Sequence, residues 1–277
     1  MAALLKYCYD MHNYLFIELA DKEISNYMLM GSPLPMMLII GIYYYFIFYG
    51  GRKLMENHKP FKLNNIMAAF NIVQIIANMF LVVKIFPIMF NIYKNNMFCL
   101  SFENIPNSDK HQVLSQLRYW RYFYVMLKLS DLFDTVFMVL KKNYHQITFL
   151  HVYHHVGMCI GTWLIVKLTS SNHEAFTAGI NAIIHVTMYT YYLLSLYNKN
   201  VKSLGWKKFI TQLQLIQFIL IFYHHVVTIL DPNCSVPKLP ILIYMTQVAL
   251  MIVLFSQFYF QAYIKTKKLN KQDYKQH

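Results

Sequence analysis

Charge is what this sequence most lacks: 13% of its 277 residues are Asp, Glu, Lys or Arg, about half the share of an ordinary soluble domain. With 57% apolar residues, that deficit excludes a soluble fold and indicates a membrane protein. Acids are scarcer than bases, 12 against 25, yet the excess is not a nucleic-acid surface. A nucleic-acid binder spreads Lys and Arg over a folded polar face, whereas here they sit in the gaps between apolar runs and report topology. Four cysteines are too few for a disulfide scaffold and leave room for a single bridge. The first 32 residues lack the basic region, apolar core and cleavage site of a removable signal peptide, so none is expected. No internal repeat is evident, and the connections are too short to hold a second domain.

What is present is a series of long apolar runs. Runs of about 20 residues predict seven spans, at 33–49, 66–90, 119–140, 147–168, 175–197, 209–230 and 240–263, hence an all-α polytopic membrane protein. Residues 1–32 read as an amphipathic interfacial or extramembrane lead-in, 33–263 as one transmembrane domain and 264–277 as a basic tail. The segments 50–65, 141–146, 198–208 and 264–277 hold 15 of the 25 basic residues. By the positive-inside rule those segments are cytosolic, so the C-terminus is expected in the cytosol and the N-terminus in the lumen or outside.

Lys128 to His155 carries the chemistry. A lysine or aspartate at the centre of a bilayer span costs about 2.5–3.5 kcal/mol, so these groups do not face lipid. At 100° per residue Lys128, Asp131, Asp134 and Thr135 share one helix face, and His151, His154 and His155 share a face of the next. The two faces are expected to meet each other or a common cavity. On the fifth span Asn181, His185, Met188 and Tyr192 share a face, with Tyr189 beside them. Thr211, Gln214 and Gln217 enter on the sixth, and Asn71, Gln74 and Asn78 form a stripe on the second.

Each group has a plain structural reading beside the chemical one. Lys128, Asp131 and Asp134 can be an ion-pair network that ties helices together; the amide stripe of the second span reads as hydrogen bonding between helices, and Tyr43 to Tyr45 as membrane-belt and packing residues. The histidines exceed what packing needs. Imidazoles at i, i+3 and i+4 can bind a transition metal, as in di-iron desaturases and hydroxylases, or act as nucleophile and general base. A di-iron site needs about eight histidines in roughly three clusters, and here one HxxHH is joined only by His185. The expectation is therefore no metal and no cofactor. A non-enzymatic seven-helix lipid transporter or receptor explains the topology but not the clustered histidines.

These residues resemble the ELO family of very-long-chain fatty acid elongases. The resemblance runs through G-R-K-L-M-E-N-H-K-P-F at 51–61, F-N-I-V-Q at 70–74, K-L-S-D-L-F-D-T-V-F at 128–137, Q-I-T-F-L-H-V-Y-H-H at 146–155, N-A-I-I-H-V-T-M-Y-T-Y-Y at 181–192 and T-Q-L-Q-L-I-Q at 211–217. It implies six helices around a long closed tunnel with a seventh outside. The reaction implied is a decarboxylative Claisen condensation of a long-chain acyl-CoA with malonyl-CoA, in the endoplasmic reticulum membrane. His154 is similar to the family's nucleophile, expected to carry the acyl group as an acyl-imidazole, with His185 as its partner. His151, His155, Lys128, Asp131, Asp134 and Asn181 complete the catalytic set. Asp134 and Asp131 are expected to orient imidazoles or Lys128. Asn181, Tyr189, Tyr192, Thr211, Gln214 and Gln217 are expected on the substrate, and Lys141, Lys142, Lys202, Lys207 and Lys208 on the phosphates of CoA. The resemblance also implies a Cys99–Cys234 disulfide. Partners are acyl-CoA, malonyl-CoA, membrane lipid, a second copy and the other enzymes of the elongation cycle, without nucleic acid. Asp131 stands where the family usually has Glu, so a looser contact is expected there. The dilysine retrieval signal is incomplete, with Lys275 lacking its partner lysine.

Overall fold

A computed structural model describes residues 2–18, 20–93, 110–168, 173–202, 204–234 and 238–265. Among them the structure is helical: α1 (Ala2–Asn13), α2 (Pro33–Tyr45), α3 (Gly51–Glu56), α4 (Asn64–Tyr93), α5 (Lys110–Ser130), α6 (Leu132–Leu140), α7 (Phe149–Leu168), α8 (His173–Tyr197), α9 (Leu204–Leu230) and α10 (Lys238–Tyr259). Helices thus occupy all seven stretches that hydropathy marks. Five helical segments, Pro33–Glu56, Asn64–Pro87, Phe149–Leu168, Gly205–Leu230 and Lys238–Lys265, are long and apolar enough to cross a membrane. The other two stretches, α5 with α6 and α8, carry much of the polar motif, which lowers their hydropathy. The basic tail after Lys265 and Lys275 within it lie outside the described residues.

Local chemistry sets the ends. Pro33 opens α2 after Ser32, where its missing N–H leaves no bond unmade. A π-turn over Phe46–Gly50 carries α2 into α3, so the first span runs to Glu56 and not to 49. A Cβ on Gly51 would lie 2.6 Å from the Phe46 carbonyl oxygen, so the wide turn needs glycine there. Thr148 caps α7 by accepting the His151 backbone N–H at 3.2 Å.

The span at 119–140 is not one helix, as the sequence led us to expect, but two. The Ser130 hydroxyl donates to the Leu127 carbonyl at 2.7 Å and the Asp134 N–H bonds the Asp131 carbonyl at 3.2 Å. The Leu127 carbonyl, which keeps the Asp131 N–H at 3.0 Å, thus takes a second donor, and the tightened turn that follows ends α5 and starts α6. α6 then ends with Lys142 in the left-handed region, φ 57°, a position more often glycine's.

The chain forms two compact units, residues 1–63 with 83–178 and residues 64–82 with 179–277. In the first, α5 packs on α7, and Met36, Ile40, Tyr43 and Ile47 of the first span join Val125, Leu132, Val139, Val152, Val156, Cys159 and Trp163 in one core. In the second, α9 and α10 lie antiparallel: Thr211 meets Tyr263 at 3.3 Å, Phe218 meets Phe255 and His225 meets Tyr244. Apolar side chains on the outward faces, such as Met37, Ile42, Ile76, Val83, Ile219, Tyr223 and Ile243, are largely exposed. A third or less of each spanning segment is buried, so these faces suit lipid.

The lead-in is docked and not merely interfacial. Lys167, at the end of the predicted span 147–168, is the penultimate residue of α7 and fully buried. Its ammonium donates to Ser25 Oγ at 2.7 Å, the Met30 carbonyl at 2.7 Å and the Gly31 carbonyl at 3.3 Å, while Trp163 Nε1 donates to the Leu29 carbonyl at 2.8 Å. Asp21 accepts Arg118 Nε at 2.9 Å and the backbone N–H groups of Glu23 and Ile24. Burial works against the Asp21 carboxylate, but Arg118 and those two N–H groups outweigh it and hold the carboxyl below its ordinary value of 3.8. A depressed folded pKa stabilises the fold above that ordinary value and loses its contribution as pH falls through the lowered one. Asp21→Asn should therefore loosen the dock by about 1.5–3 kcal/mol at neutral pH. Hydrogen exchange of the Glu23 and Ile24 amides, corrected for intrinsic rates, should show a gap between variant and wild type that closes below the ordinary carboxylate range; a gap of equal size at all pH values contradicts it.

Candidate active site

The two polar faces of the first unit meet. Thr135 Oγ1 lies 2.8 Å from His151 Nε2, and Tyr43 donates its hydroxyl to the same Thr135 oxygen at 2.8 Å. The histidines form a row, with His151 and His155 ring centroids 4.3 Å apart and His155 and His154 5.7 Å apart. The α7 cap places this row: Thr148 fixes the first turn, so His154 lies about 8 Å along the axis from Phe149 at 1.5 Å per residue.

Beside the row lies a buried ion pair, Lys128 Nζ to Asp131 Oδ2 at 2.8 Å, with both residues 3% exposed or less. Lys128 Nζ also lies 5.1 Å from the centre of the Tyr124 ring, and its carbonyl accepts the buried Cys159 thiol at 3.1 Å. That thiol bond ties the helix of the ion pair to α7, the helix that carries His154. An imidazole is, in its neutral form, a competent nucleophile or base.

Several expectations change here. Asp131 pairs with Lys128 one turn back on its own chain, and the shorter side chain still makes a tight 2.8 Å contact. The partner of His151 is a hydroxyl, Thr135, while Asp131 holds Lys128. Asp134 is half-buried. Tyr43, read as a belt residue, is 5% exposed and inside, while Tyr44 and Tyr45 are exposed. Its stripe with Met36, Ile40 and Ile47 is the signal that separates it from its neighbours. Arg121 was missed altogether; it is buried and its Nη2 donates to the Ile165 carbonyl at 3.3 Å.

The second unit gathers the remaining groups. Asn181 Nδ2 reaches Gln217 Oε1 at 3.5 Å, Gln214 Nε2 reaches the Met188 sulfur at 3.9 Å, and His185 and Tyr189 rings lie 5.7 Å apart, with Tyr192 edge-on to Tyr189. Asn181, His185, Tyr189, Thr211 and Gln217 are all buried. On α4, Asn78 bonds back to Gln74 within its own helix, through the Gln74 carbonyl at 2.8 Å and Oε1 at 3.4 Å. The bonds Asn78 makes there are intrahelical, where the sequence suggested bonding between helices. His224 and His225 form a buried neighbouring pair 5.3 Å apart.

The lysines expected on CoA differ in setting. Lys142 Nζ donates to the Glu56 carbonyl at 3.3 Å, Lys208 Nζ sits 5.8 Å from the Tyr259 ring centre, Lys207 is exposed and Lys141 half-buried; the Lys202 side chain lies outside the described residues. Cys234 is disulfide-bonded and Cys159 is free, while Cys99 lies outside the described residues. Among the described residues no cluster of three or more His, Cys, Asp or Glu is arranged to hold a metal ion.

With this geometry in view, comparison with known proteins is informative. The sequence model of the ELO: GNS1/SUR4 family matches residues 28–271. The chain is 34% identical to rat very long chain fatty acid elongase 7 (Rattus norvegicus), over 92% of this chain and 90% of that protein. It is 34% identical to mouse elongase 1 (Mus musculus), over 90% and 88%, and 37% identical to elongase F of Drosophila melanogaster, over 83% and 90%. A match of that extent shows that this chain belongs to the ELO family.

Proposed function

We propose that this protein is the condensing enzyme of fatty acid elongation, a 3-oxoacyl-CoA synthase that joins a long-chain acyl-CoA to malonyl-CoA. The observation that carries this reading is the histidine row on α7, anchored through His151 to Thr135 and set beside the buried Lys128–Asp131 pair. His154 attacks the acyl thioester; the C–S bond breaks, an acyl-imidazole forms and the imidazole proton leaves with CoA as its thiol. Malonyl-CoA then loses CO2, and its enolate carbon attacks the acyl carbonyl. The C–N bond breaks and the imidazole recovers a proton, leaving 3-ketoacyl-CoA. Splitting transfer from condensation avoids holding two CoA thioesters at once.

In this reading His155 and His185 assist His154. Asn181, Tyr189, Tyr192, Thr211, Gln214 and Gln217 supply donors for thioester or enolate oxygen, and Lys141, Lys142, Lys207 and Lys208 attract the phosphates of CoA. The family resemblance supports a lipid tunnel lined by six of seven spans, a Cys99–Cys234 bridge and residence in the endoplasmic reticulum with a lumenal N-terminus. A second copy and the other enzymes of the cycle are its proposed protein partners.

The test is stoichiometric. Purified protein given acyl-CoA alone should release one equivalent of CoA thiol per active site, and malonyl-CoA should then discharge the acyl group as 3-ketoacyl-CoA with CO2. Release of no thiol overturns the two-step mechanism and favours a lipid carrier; double-bond formation dependent on iron and oxygen favours a desaturase.

A further inference from the structure

We propose that Tyr43 and Thr135 are positioning residues that fix the proton of His151 on its Nδ1 nitrogen. Tyr43 and Thr135 are both buried, at 5% and 0% exposure, and their hydroxyls form a two-bond chain that ends on the imidazole. Each hydroxyl has one proton. Tyr43 gives its proton to the Thr135 oxygen, which leaves Thr135 its own proton to donate at 2.8 Å to His151 Nε2. An imidazole nitrogen that accepts a hydrogen bond carries no proton, so neutral His151 holds its proton on Nδ1. The residue is held at two further points: its backbone N–H donates to the Thr148 hydroxyl, and its ring lies 4.3 Å from that of His155, tilted by 46°. The chain runs from the first span through α6 to α7 and therefore also sets the rotation of α7, on which His154 and His155 stand.

The kinetic part of this proposal rests on the condensing-enzyme reading; the tautomer does not. Proton–nitrogen correlation spectra of protein labelled with 15N-histidine in lipid nanodiscs read the tautomer directly, with His151→Gln identifying the signal. Wild type should show His151 protonated on Nδ1, and Tyr43→Phe should give a mixture of tautomers. Thr135→Ser, which keeps the hydroxyl, should resemble wild type. In the condensation assay Tyr43→Phe should lower kcat about tenfold, the scale of orienting partners of imidazoles, with KM for acyl-CoA unchanged. Thr135→Ser should stay within about twofold, a conservative rescue that a packing role for Tyr43 alone would not require. A wild-type signal protonated on Nε2, or an unchanged tautomer in Tyr43→Phe, overturns the proposal whether or not the protein condenses acyl-CoA. An altered tautomer with no condensation in wild type supports the positioning chain and overturns the function.

Discussion

His154→Ala should purify like wild type, release no CoA from acyl-CoA and turn over at less than about one-thousandth of the wild-type rate, the scale of losing a covalent nucleophile. The side chain is half-buried on α7 and contributes one ring of a row, so its truncation leaves the Thr135–His151 bond and the Lys128–Asp131 pair in place. The paired measurement is peptide mass spectrometry of wild type quenched after acyl-CoA is added without malonyl-CoA. An acyl group on the peptide containing His154, absent from His154→Ala, is the expected result. Because His151 and His155 stand within the same peptide, fragmentation must place the adduct; an acyl group on His155, or normal turnover by the variant, contradicts the assigned nucleophile.

The second large effect is on stability. Asp131→Asn leaves the Lys128 ammonium buried without its counter-charge, and breaking a buried pair by removing one partner costs about 3–5 kcal/mol. Lower thermal resistance in detergent, or failure to accumulate, is therefore expected. Replacing both, Lys128→Met with Asp131→Leu, removes the need for the pair and should recover most of that loss, since well-packed apolar substitutes of similar size are often neutral. Activity separates the two roles left open by the sequence. A pair that only joins helices leaves the double variant active, whereas a pair whose field acts on His154 leaves it stable and at least about a hundredfold slower. The second outcome is expected, because the pair is buried and tied through the Cys159 thiol to α7, the helix that carries His154.

Much of the molecule was legible in the sequence because its causes are local. Twenty apolar residues in a row are long enough to cross a bilayer whatever surrounds them, and helices occupy all seven of the marked stretches. Residues at i, i+3 and i+4 share a helix face by geometry alone, so His151, His154 and His155 were grouped correctly and their face does meet that of Thr135. The break at Asp131 was not legible from hydropathy, although Ser130 at that point was its signal. What only the tertiary structure decided is how each helix is turned about its axis and what it touches. Consecutive tyrosines at 43, 44 and 45 point about 100° apart, and packing of the first span against α6 chose Tyr43 for the inside. Lys167 stands at the end of a predicted span and is a buried anchor because carbonyls and a hydroxyl from residues 25–31 converge on it. Hydropathy and period belong to one segment, whereas a hydrogen bond across 92 residues, such as Tyr43 to Thr135, exists only once two segments are placed side by side.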